Sequence, residues 1–173
     1  MSGGGGRTVL VTGGAGFFGG VLVPDLIAAG WRVVSLDREP MWYGDPALVG
    51  VRGDIRDAAL VDSLFAEHDV AGVVHAAAVL AHGRVDRDDL WTSNVDGTRT
   101  IAAAAARHGV PRMVFISSNC LWARNLGRPV TEQDEPEPIE IYGRSKAEGE
   151  KIVAEHGDRL AGVTIRTPTI IDE

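Results

Sequence analysis

The chain reads as an α/β protein built on a doubly wound parallel sheet with helices on both faces. Three observations predict this class. Short β-branched apolar runs alternate with helical stretches along the whole length, a glycine-rich turn joins the first run to the first helix, and an aspartate closes the second run. Right-handed crossovers between parallel strands then give the expected strand order 3-2-1-4-5-6.

Taken in order, Thr8-Val9-Leu10-Val11 is the first strand and enters the turn Thr12-Gly13-Gly14-Ala15-Gly16-Phe17-Phe18-Gly19. A helical pattern follows from about Phe17 to Ala29, with Gly30 as its stop. Arg32 to Leu36 is the second strand and ends at Asp37, and Val49 to Arg52 is a weaker third. After Gly53-Asp54 comes a helix over Asp57–Glu67, then a buried-type fourth strand at Gly72–His75. One long helix is expected from Asp88 to His108, ended by Gly109 and Pro111. Arg112 to Ile116 forms the fifth strand and runs into Ser117-Ser118. A polar, proline-bearing loop covers about Asn125 to Glu140, a helix runs from Tyr142 to His156, and Gly162–Arg166 is the sixth strand.

At 173 residues this is one domain, spanning Arg7 to Glu173, behind a flexible leader from Met1 to Gly6. The net charge of −7 argues against general affinity for nucleic acid or anionic membranes. Cys120 is the only cysteine, so neither an internal disulfide nor a cysteine-based metal cluster can form, and no metal site is expected. The run Thr8–Thr12 is too short for a signal or membrane segment, which makes a cytoplasmic protein the default.

The glycine turn fits two spacings, G-x-G-x-x-G at Gly14, Gly16 and Gly19 and G-x-x-G-x-x-G at Gly13, Gly16 and Gly19. Either gives a tight turn, close approach of backbone to a pyrophosphate, and close helix–strand packing. The helix N-terminus, opened by Phe17 and Phe18, then faces the phosphates with free N–H groups. Asp37 at the second strand end is placed to accept from ribose hydroxyls and to repel a 2′-phosphate, which favours NAD over NADP. Arg38 next to it pulls the other way, since a guanidinium serves a 2′-phosphate. Asp54 reads equally as an acceptor for an adenine amino group, with Ile55 packed on the ring, or as a capping or loop residue.

Tyr142 and Lys146 are four residues apart and share one helix face, a phenol beside an ammonium. A cation held there favours the phenolate and lets the phenol exchange a proton with a substrate hydroxyl. His75 reads mainly as a strand-end residue satisfied by local hydrogen bonds. His82 is the better histidine for a substrate contact, though a loop residue by default, and Cys120 reads chiefly as packing.

Together these residues resemble the extended short-chain dehydrogenases/reductases, the NAD-dependent epimerase/dehydratase group. The matching segments run in order: Thr12–Gly19, Asp37, Gly53-Asp54-Ile55, His75-Ala76-Ala77-Ala78, Asn94-Val95-Asp96-Gly97-Thr98, Ser117-Ser118, Tyr142 to Lys146 and Arg166-Thr167-Pro168. The resemblance implies Tyr142 as catalytic acid/base, with Lys146 holding the nicotinamide ribose and lowering the tyrosine's pKa. It implies that Ser118 hydrogen-bonds the reacting oxygen, that Ala76, Ala77 and Ala78 leave room for the dinucleotide, and that Asn94 ties structure together around the cofactor. It further implies a nucleotide-sugar as the small-molecule substrate, and a homodimer formed through a four-helix bundle of the Asp88–His108 and Tyr142–His156 helices. Ala102 to Ala106 suit close helix approach there, or equally packing on the sheet.

Two departures qualify the resemblance. Asn119-Cys120 stands where dehydratases of the group carry an Asp-Glu pair, which disfavours dehydration, and Leu121-Trp122-Ala123 replaces a Val-Tyr-Gly on the substrate side. The group's C-terminal substrate-binding part has no counterpart before Glu173, so a truncated chain is expected. Two alternatives remain beside the epimerase reading. One is a dehydrogenase or reductase of a non-sugar alcohol or ketone, and the other is a nucleotide-binding module without catalysis.

Overall fold

The computed structural model describes residues 7–81, 83–122 and 127–168. Its strands are β1 (Thr8–Thr12), β2 (Arg32–Asp37), β3 (Leu48–Arg52), β4 (Val70–His75), β5 (Arg112–Ser118) and β6 (Ala161–Thr167). They form one parallel sheet in the order β3-β2-β1-β4-β5-β6. The order of the central strands follows from their burial. Leu10, Val11, Val33 and Leu36 have no exposed surface, as both faces of a doubly covered parallel sheet require.

Helices α1 (Phe17–Ala28), α2 (Ala58–Glu67), α3 (Arg87–Trp91), α4 (Gly97–Arg107) and α5 (Ile141–Ala154) make the crossovers. The larger core lies where α2, α4 and α5 cover the sheet, around Ile101, Met113, Phe115 and Ile152. The smaller lies under α1, around Val9, Val11, Val23 and Val33. Asp57 caps α2 by accepting from the Ala59 and Leu60 amides, and Asp86 caps α3 through Asp88 and Asp89. Asp54 is therefore not the cap of α2.

The helix expected over Asp88–His108 is not continuous. Thr92–Asp96 is a π-helical turn between α3 and α4, a local expansion of the kind that re-aims side chains at functional sites. Three consecutive polar side chains on it find separate partners. Thr92 bonds Arg56, Ser93 bonds Arg38, and Asn94 bonds Val79 and Ser145. Within α4, Ala102, Ala104, Ala105 and Ala106 are buried in the chain's own core, so these alanines pack on the sheet.

Topology places the site. In a parallel sheet every strand ends on the same side, and the order reverses between β1 and β4, opening a crevice there. The glycine turn, Asp37, Ala76 to Ala78 and Ser118 all lie at or just past those strand ends. Among the described residues no helix is long and apolar enough to cross a membrane.

Candidate active site

A cavity of about 870 Å³ runs across the C-terminal ends of the strands. Gly13, Gly16, Phe17, Phe18, Asp37, Ile55, Ala76, Ala77, Ala78, Ser118, Tyr142 and Lys146 all line it. Gly19, Asp54 and Asn94 do not; each acts on residues that do.

The glycine turn is built for close approach. Gly13 has φ +76°, and a Cβ there would stand 2.7 Å from the Ala77 amide nitrogen. A Cβ on Gly19 would collide with the Gly13 carbonyl and Gly14 Cα. A Cβ on Gly14 would likewise collide with Ser35 Oγ, so both glycine spacings remain compatible with the turn. Helix α1 begins after Gly16 with no side-chain cap, so its first amides face the cavity free to meet an anion.

Asp37 sits beside that turn. One carboxylate oxygen accepts from the Ala15 amide at 3.0 Å and the other from the Glu39 amide at 3.0 Å. A carboxylate has about four acceptor positions, so two remain for ribose hydroxyls. Asp54 points instead into an ion cluster, bonding Arg56 at 2.6 Å and Arg38 at 3.1 Å. Its pKa is lowered, chiefly by the Arg56 hydrogen bond. Its neighbour Ile55 turns the other way, onto the cavity wall and against Gly97.

His75 is fully buried and satisfied on both nitrogens, by Thr12 Oγ1 at 2.6 Å and Thr98 Oγ1 at 2.9 Å. The Thr98 hydroxyl donates to the Asn94 carbonyl, so it accepts from His75 Nε2, and Nδ1 accepts from Thr12. Burial, with Lys146 second, pulls the imidazole down to about 3, which keeps it neutral. It props up the floor of the cavity through Thr12, whose hydroxyl also accepts from the Ala77 amide. Asn94 accepts from the Val79 amide and donates to the Val79 carbonyl and to Ser145, locking the wall after β4 to α5.

At the other end α5 presents Tyr142 and Lys146 together. Lys146 is 3% exposed and its ammonium donates to the Ile116 carbonyl at 2.8 Å, lying 5.8 Å from the Tyr142 ring centre. Burial lowers this lysine to about 8. The Tyr142 phenol is pushed up to about 12, by burial first and Cys120 second, against a lowering hydrogen bond with Ser118. Burial is the leading cause, and the Lys146 ammonium bonds a backbone carbonyl on β5. The phenol therefore holds its proton at neutral pH.

Several wall residues were not singled out by their sequence: Ser93, Val79, Leu80 and Ile139 line the cavity beside Arg38 and Thr167, which were. Cys120 also lines it and influences the tyrosine, so it is more than packing. Trp122 stacks on the Arg166 guanidinium at 5.1 Å, and Glu150 pairs with Arg166 at 2.8 Å beneath it. His82 and Ala123 lie outside the described residues. Among the described residues no group of three His, Cys, Asp or Glu side chains is placed to hold a metal.

Comparison with known proteins agrees with this layout. The family model described as NAD dependent epimerase/dehydratase family matches residues 9–171. A UDP-glucose 4-epimerase of Rhizobium leguminosarum bv. trifolii is 36% identical over 159 residues, covering 87% of this chain and 47% of that protein. The Thermus thermophilus UDP-glucose 4-epimerase solved with NAD is 30% identical with a TM-score of 0.81, covering 92% of this chain and 54% of its own. WbmG of Bordetella bronchiseptica, solved with NAD and UDP, is 26% identical with a TM-score of 0.82, covering 91% of this chain and 52% of its own. The chain thus spans about half the length of these relatives. A strand-end cavity floored by glycine and alanine, an aspartate beside the turn and a Tyr/Lys helix face accord with the family match, and the chain belongs to the NAD-dependent epimerase/dehydratase family.

Proposed function

We propose that this chain binds NAD across the strand ends and supplies the proton-transfer half of a reversible alcohol oxidation, with a nucleotide-sugar hydroxyl as substrate. The observation that carries the reading is that one cavity holds both the glycine turn with Asp37 and the Ser118, Tyr142, Lys146 group. The residues present fit the dinucleotide. A glycine cradle and uncapped helix end suit the pyrophosphate, Asp37 suits the ribose, and Ala76 to Ala78 leave the floor open.

NAD, when bound, supplies the hydride acceptor. The chain's own residues handle the proton. Tyr142 exchanges it with the substrate hydroxyl, Ser118 orients the same oxygen, and Lys146, fixed on the Ile116 carbonyl, lies 5.8 Å from the tyrosine ring centre. With its proton held at neutral pH, Tyr142 is poised as the acid that reprotonates a carbonyl, and its use as a base needs added positive charge beside it. Asn119 and Cys120 offer no carboxylic acid at the cavity mouth, which speaks against dehydration. UDP-sugar substrates are supported by the relatives named UDP-glucose 4-epimerase and by the UDP held in WbmG.

The test is Tyr142→Phe, with NAD binding and turnover of UDP-sugars measured in parallel. NAD affinity should survive while turnover falls by ~10²-fold or more. Undiminished turnover in that variant would overturn the assignment of Tyr142. Accumulation of NADH during turnover of the parent would mark a dehydrogenase, and its absence an epimerase. NAD binding with no turnover of any alcohol would mark a binding module.

A further inference from the structure

The second strand ends in two residues that pull cofactor choice in opposite directions. Asp37 repels a 2′-phosphate, whereas Arg38 beside it, also on the cavity wall, would attract one. The structure shows where that guanidinium is directed. Its two terminal nitrogens form a fork on Asp89, both at 3.2 Å, its Nε donates to Asp54 at 3.1 Å, and one terminal nitrogen also donates to Ser93. All three of its nitrogens are engaged.

The latch is braced from behind. Arg56 bonds Asp54 through both Nε and a terminal nitrogen, and reaches Asp89 at 2.9 Å and Thr92 at 2.8 Å. Two guanidinium groups thus face two carboxylates in a closed square, and Asp37 stands outside it, its carboxylate held by the Ala15 and Glu39 backbone amides. Asp89 comes from α3 and Ser93 from the π turn, so a distant element holds the arginine.

We propose that Asp89 is a specificity-determining positioning residue, which enforces NAD over NADP by holding Arg38 away from the 2′ position of the adenosine ribose. The inference rests on the reading that this cavity binds a nicotinamide dinucleotide. Asp89 is not among the residues that line the cavity; it acts through Arg38. The fork of Arg56 on Asp54 does not involve Asp89, whereas two of the four bonds that hold Arg38 do.

The test is a double-mutant cycle on dinucleotide affinity, measured by titration of the chain with NAD and with NADP. Asp89→Ala should raise NADP affinity relative to NAD by about tenfold, and Asp89→Asn, which removes only the charge, by about threefold. Adding Arg38→Ala to either should erase the gain, a dependence that loss of structure would not produce. Arg38→Ala alone should leave the NADP-to-NAD ratio of the parent within about twofold, because the arginine is already withdrawn. An unmoved ratio in both Asp89 variants would overturn the proposal, as would a selective loss of NADP binding in Arg38→Ala alone. A parent that binds NAD with an unmoved ratio in the variants sinks this proposal only, whereas a parent that binds neither dinucleotide sinks the cofactor reading with it.

Discussion

Asn94 Nδ2 donates to the Ser145 hydroxyl across 3.0 Å, joining the π turn to the helical turn that carries Tyr142 and Lys146. Asn94 is 2% exposed and also makes both bonds to the Val79 backbone, while Ser145 donates onward to the Tyr142 carbonyl. Removing the amide in Asn94→Ala takes the partners from the part-buried Val79 N–H and C=O and should destabilise the fold by about 1–3 kcal/mol. Ser145→Ala removes one partner and should cost about 1 kcal/mol. Denaturant unfolding of the two variants checks the ranking; equal losses would show that Asn94 is not the junction.

His75 gives stability a pH signature. Its folded pKa, about 3, is below its unfolded value of 6.5, so between those limits the unfolded chain binds the extra proton. Stability therefore rises with pH across that window and is lost as pH falls through it, at up to about 1.4 kcal/mol per pH unit. The carboxylates with lowered pKa, Asp54, Asp62, Asp89 and Asp134, start from 3.8 and contribute only near the acidic end. Urea unfolding between about pH 4.5 and 6.5 isolates the histidine. The slope should disappear in His75→Asn, and a slope that survives would assign it to other groups.

Gly13→Ala should impair the cavity before the fold. The new methyl would need a left-handed backbone and would press on the Ala76–Ala77 backbone next to it on the cavity floor. A stability loss of roughly 1–3 kcal/mol is expected, together with loss of most NAD affinity. Isothermal titration alongside thermal unfolding separates the two effects; unchanged NAD affinity would show that the dinucleotide does not lie against this turn.

The sheet and its order were legible because the apolar runs are short, β-branched and punctuated by glycine and aspartate. The fold brings the glycine turn, Asp37, the alanines and the Tyr/Lys face to one cavity; the alanines were legible through the family resemblance and the others in their spacing. The π turn was not, because Thr92–Asp96 contains no helix breaker; its side chains are held by Arg38, Arg56, Val79 and Ser145, which no local rule joins. Asp54 was ambiguous for the same reason, and only the fold directs it to Arg38 and Arg56. The elevated tyrosine was missed because the i, i+4 spacing fixes the face shared with Lys146 but not the burial of the phenol, which is the leading cause.

The bond from the Ala15 amide to Asp37 has a kinetic consequence. It fastens the glycine turn to the end of β2, so under the proposed reading a dinucleotide meets a turn already tied to the sheet. Association then needs no loop rearrangement, and differences in affinity among dinucleotides should be expressed in how long each one stays.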